Sequence, residues 1–67
     1  MTNTQELKSR IEKSGYKLGF LANEMGLSRA GLQNKIYNKR EFKTSEVKKL
    51  CEILSIGTTE RDNIFFA

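Results

Sequence analysis

The chain has 67 residues, with 12 Lys and Arg against 8 Asp and Glu, a formal net charge of +4 and no histidine or proline. A chain this short makes one domain, residues 1–67, near the lower end of what folds alone and too small to enclose a large substrate cavity. The lone Cys51 excludes an internal disulfide framework, no Cys/His cluster has zinc spacing, and the missing imidazole removes the commonest acid–base group, so no metal, cofactor or enzyme activity is expected.

The N-terminus MTNTQELKSR lacks the apolar stretch of a signal peptide, and no run of about 18 apolar residues is present to span a bilayer. These features point to a cytoplasmic protein. Breaks along the chain fall at glycines and capping residues, and they divide it into five short helices. Asn3 with Glu6 resembles a capping box and starts the first helix, which buries Leu7 and Ile11 and stops at Gly15. Leu18, Leu21, Ala22 and Met25 follow the i, i+3, i+4, i+7 rule and give the second helix an apolar stripe ending at Gly26. Ser28 caps the third. Thr44 or Ser45 caps the fourth, where Val47, Leu50, Cys51 and Leu54 repeat the spacing and which closes before Gly57. Thr58 or Thr59 begins a last helix carrying Ile64, Phe65 and Phe66. No alternating, strand-like stretch competes, so the fold class is all-α.

The joint between the second and third helices is the informative feature. Met25-Gly26-Leu27-Ser28 supplies a glycine able to turn left-handed, an apolar residue to plug the corner and an N-cap immediately after. A turn this short, containing glycine, defines a helix-turn-helix unit over approximately residues 17–37 rather than an antiparallel hairpin. The small Ala22 lets the two helices approach closely.

At about 100° per residue, the third helix turns Leu32 and Ile36 inward, and Ala30, Gln33, Asn34 and Tyr37 to or near the opposite side. Gly31 lies at one margin of that outward set, and Arg29 and Lys35 flank the apolar stripe. The outward face is small near its start and amide-bearing further on, a set suited to a DNA major groove. Gln and Asn pair bidentately with adenine, Arg with guanine, and an Ala methyl meets a thymine methyl. Gly31 costs the helix roughly 1 kcal/mol relative to alanine, and in this reading it clears the way for a close approach to DNA. Lys35, Lys39, Arg40 and Lys43 gather just beyond, opposed there only by Glu41.

The stretch LGFLANEMGLSRAGLQNKIYNKR resembles the Cro/C1-type helix-turn-helix family of phage and bacterial repressors, with Ala22, Gly26, Leu27, Ser28 and Leu32 in its signature positions. The resemblance implies a five-helix lambda-repressor-like domain that binds a double-stranded DNA operator as a transcriptional regulator. Base reading then falls on Arg29, Ala30, Gly31, Gln33, Asn34 and Lys35, and phosphate contact on Lys17, Ser28, Lys39, Arg40 and Lys43. Three departures stand out. The glutamine that commonly opens the second helix is Leu18, with Lys17 or Tyr16 as its substitute. Asn38 replaces the usual small residue after the third helix. Ile36 follows Leu32 by four places where many members use three.

A recognition helix reads few base pairs, so such repressors pair to span half-sites about 34 Å apart. With Ile64 completing the core, Phe65 or Phe66 is the expected contact of a homodimer. The competing class is an antitoxin or adaptor that uses the same fold to bind protein, and it requires an exposed apolar patch away from the third helix.

Overall fold

The computed structural model describes residues 1–67 as five α-helices with no strand. They are α1 (Thr4–Ser14), α2 (Leu18–Glu24), α3 (Arg29–Ile36), α4 (Thr44–Leu54) and α5 (Thr58–Phe65). Their stripes converge on one core in which Leu7, Leu21, Leu32, Leu50 and Ile64 are almost wholly removed from water. Each such side chain contributes roughly 1.5–3 kcal/mol through burial. Around them pack Ala22, Ile36, Val47, Cys51, Leu54, Ile56 and Phe65, with Ile11, Leu18, Met25, Leu27, Phe42 and Ile53 at the edge.

The helix ends follow from local chemistry. Asn3 Oδ1 accepts the Glu6 N–H at 3.2 Å, and Ser28 Oγ accepts the Gly31 N–H at 2.9 Å. For α4 the N-cap is Lys43 rather than Thr44 or Ser45. The turn is closed instead by the Glu46 carboxylate, which accepts the Lys43 N–H at 2.8 Å.

Three helices stop alike, with one residue in the left-handed region: Gly26 at φ 69°, Asn38 at φ 63° and Ser55 at φ 56°. After each, a backbone N–H reaches the carbonyl five residues back: Leu27 to Ala22 (2.8 Å), Lys39 to Asn34 (2.8 Å) and Ile56 to Cys51 (2.9 Å). Thus α4 turns at Ser55, ahead of Gly57, which brings Ile56 into the core and leaves Gly57 as the N-cap of α5.

The contact between α2 and α3 is the most extensive between any two helices, and the Met25–Ser28 corner joins them. The N-terminal residues then tie the far end of α3 to the C-terminus. Thr2 and the Asn38 amide exchange two hydrogen bonds of 2.8 Å, Thr4 Oγ1 donates to the Ile36 carbonyl at 2.6 Å, and the Asn3 N–H donates to the Ile64 carbonyl at 2.6 Å. No helix is long and apolar enough to cross a membrane.

Candidate nucleic-acid interface

Because Leu32 and Ile36 anchor α3 in the core, its remaining face is left to solvent. Arg29, Ala30, Gln33 and Tyr37 are exposed, Gly31 and Asn34 half-buried. Gln33, Asn34, Tyr37 and Lys39 line one shallow hollow of about 480 Å³. Donors and acceptors of two amides, a phenol and a cation therefore converge on one depression, groups able to hydrogen-bond the edge of a planar ring or an anion.

The segment after α3 is held rather than loose. The N–H groups of both Lys39 and Arg40 donate to the Asn34 carbonyl, at 2.8 and 3.2 Å, and Asn38 is pinned to Thr2. The backbone bearing the two cations is thereby fixed against the end of the helix, while both side chains stay in solvent. Lys17, at the N-cap of α2, and Lys43, at that of α4, are exposed too. Neither lines the hollow, although Leu18, next to Lys17, adjoins Gln33 in a second depression. Ser28 is exposed, its Oγ engaged as the cap of α3.

Two sequence expectations are corrected. Lys35 is not available to read bases: it is only 8% exposed, and its Nζ donates to Glu46 Oε1 at 2.5 Å. The cause is its position three residues after Leu32, from which its long stem runs over the core to α4. Burial works against the Glu46 charge, yet the Lys35 hydrogen bond and the Lys43 N–H outweigh it and hold this carboxyl below its ordinary value. Phe65 is not a surface contact either. It is 4% exposed and meets the Phe42 ring edge-on at 5.3 Å, filling the core beside Ile64. Phe66, at 62% exposure, is left at the rim of a groove between α4 and α5 whose apolar floor is Val47, Cys51 and Ile56. Burial pushes the Cys51 thiol up from its ordinary pKa, against a smaller opposing pull from Arg61.

Sequence reading overlooked Lys8. Its Nζ stands 5.2 Å from the Tyr37 ring centroid, and it shares the second depression with Gln33, Tyr37 and Leu18. The available signal was its spacing, one turn after Thr4 and three residues before Ile11, which sets it beside the face that α1 turns to α3. Tyr16 and Phe20, both exposed, stack at 5.1 Å at the start of α2. No cluster of His, Cys, Asp or Glu is arranged to hold a metal. Comparison with known protein families, with curated proteins and with solved structures finds no match for this chain.

Proposed function

We propose that this domain is a sequence-specific binder of double-stranded DNA that regulates transcription by occupying an operator, as its resemblance to the Cro/C1-type repressors implies. One observation carries the reading: α3 keeps a polar, solvent-facing side on which Gln33, Asn34, Tyr37 and Lys39 converge. Arg29, Ala30, Gly31, Gln33 and Asn34 meet base edges. Lys17, Ser28, Lys39, Arg40 and Lys43 meet phosphates and set register. The protein acts inside the cell, without cofactor or small-molecule ligand, as a homodimer joined through Phe66.

Selection of binding sites from random duplex DNA at two salt concentrations tests this directly. Recovery of a defined motif, with affinity falling steeply as salt rises, is expected; absence of enrichment overturns it. Within the selected site, Gln33→Ala costs about 1–3 kcal/mol and relaxes preference at one base pair, whereas Lys39→Ala or Arg40→Ala weakens all sequences alike and flattens the salt dependence.

A second reading, a protein-interaction module of antitoxin or adaptor type, is favoured by the exposed Tyr16–Phe20 stack and the Phe66 groove. It is the one to adopt if no DNA motif emerges.

A further inference from the structure

The face that α1 turns toward α3 carries a cation that no part of the helix-turn-helix unit supplies. Lys8 is exposed, and none of the ion pairs of the molecule, Arg10–Glu60, Lys35–Glu46 and Arg61–Asp62, includes it. Its ammonium instead stands 5.2 Å from the Tyr37 ring centroid. Lys8 and Tyr37 line, with Gln33, the depression that adjoins the α3 hollow, and Gln33 and Tyr37 belong to both.

Resting on the DNA-binding reading above, we infer that the interface extends onto α1, with Lys8 as a phosphate contact beside Gln33 and the Tyr37 ring as the residue that positions its ammonium. The chemistry suits both roles. A lysine offers a point charge on a flexible stem, well matched to a phosphate oxygen but costly in entropy to localise. An aromatic face holds a cation weakly, by about 0.5–1 kcal/mol at an exposed site, without neutralising it. The ring therefore narrows the search of the ammonium while leaving its charge free for an anion. The Glu12 carboxylate also lines this depression; it makes no ion pair with Lys8 and acts on the ammonium only at longer range.

The test is fluorescence anisotropy of the full chain on its selected duplex across a salt series. Lys8→Met is compared with Lys49→Met, a change to an exposed cation on α4 that lines neither depression. The plot of log affinity against log salt becomes shallower by about 0.9 for Lys8→Met, the value of one phosphate contact, and keeps the wild-type slope for Lys49→Met. Tyr37→Leu, which removes the ring, loses part of that slope and has no further effect on it in the Lys8→Met background. If the wild-type protein binds its duplex and Lys8→Met leaves the slope unchanged, the extension onto α1 is overturned while the DNA-binding reading stands. If the wild-type protein binds no duplex, both fall together.

Discussion

Lys35 Nζ and Glu46 Oε1 meet at 2.5 Å, and the same carboxylate oxygen accepts the Lys43 N–H at 2.8 Å. One oxygen thus joins the last turn of α3 to the first turn of α4, on either side of the segment that carries Lys39 and Arg40. Both side chains are about nine-tenths enclosed, so removing one partner strands the other. Glu46→Ala is expected to cost about 2–4 kcal/mol in urea unfolding, near the lower end of the range for enclosed pairs because the Lys35 ammonium keeps an edge to water. Replacing both at once, by Lys35→Met with Glu46→Leu, recovers most of that loss.

The same pair sets an acid limit. Glu46 titrates in the folded protein below the ordinary 4.5, so its contribution is complete above that value and is lost as pH falls from about 4.5 through the folded pKa. Unfolding free energy measured from pH 7 to 3 declines in this window for the wild type. Glu46→Gln removes its share of the decline. An identical slope in both proteins contradicts the assignment.

Asn38 does two jobs that substitution separates. Its backbone sits at φ 63°, and its amide exchanges two hydrogen bonds with Thr2. Asn38→Gly keeps the backbone and loses the amide, at a cost of about 1–2 kcal/mol. Asn38→Ala loses the amide and also strains the turn, at a further cost of about 1 kcal/mol. Amide hydrogen exchange at Thr2 accelerates in both.

Gly31 has a local reason to be glycine that sequence reading did not contain. A Cβ there would lie 3.0 Å from Ser28 Oγ, the atom that caps α3. Gly31→Ala gains about 1 kcal/mol of helix propensity and gives up much of a cap of similar size, so its net effect in thermal unfolding is near zero. In a Ser28→Ala background the conflict disappears and the same change stabilises by about 1 kcal/mol. An equal effect in both backgrounds sinks this account. Loss of DNA affinity on Gly31→Ala, measured separately, tests the close-approach role.

The five helices and nearly all of their buried residues were legible in the sequence because apolar periodicity and capping are local. Leu7, Leu21, Leu32 and Leu50 are where the stripes put them. What escaped is what depends on a distant partner. Lys35 reads as a flanking cation until Glu46 is brought beside it, and Phe65 and Phe66 are indistinguishable until Phe42 takes one of them into the core. Ser55 escaped for another reason: a glycine two residues later offered the better local turn, yet the need to bury Ile56 moved the corner forward. The exposure of Arg29, Ala30, Gln33 and Tyr37 was legible from one helical wheel, whereas Lys8 belongs to another helix and only the packing of α1 against α3 brings it beside Tyr37.

Phe66 is the most exposed of the aromatic side chains that the core leaves over. It is 62% exposed beside a groove of about 520 Å³ floored by Val47, Cys51 and Ile56, with Lys48 and Arg61 on its walls alongside Glu52. That surface offers both an apolar plug and an apolar socket, with charges of both signs around them, which is what a two-fold contact between identical chains requires. None of these groove residues lines the α3 hollow, so pairing here leaves the α3 face of both copies free. The molecule measures 27 × 24 × 21 Å, so in a two-fold pair points on the sides away from the contact lie between one and two molecular widths apart, a range that includes the half-site spacing of about 34 Å. Sedimentation of the wild type on its duplex is therefore expected to give two chains per site. Phe66→Glu binds as one chain, with a smaller footprint and weaker affinity, while its folding is little affected because the side chain is solvated. Cys51 gives an independent readout: pairing covers the groove, so thiol alkylation, already slowed by burial, becomes slower still on rising protein concentration in the wild type but not in Phe66→Glu. A wild-type protein that stays monomeric on DNA, with concentration-independent alkylation, excludes the dimer.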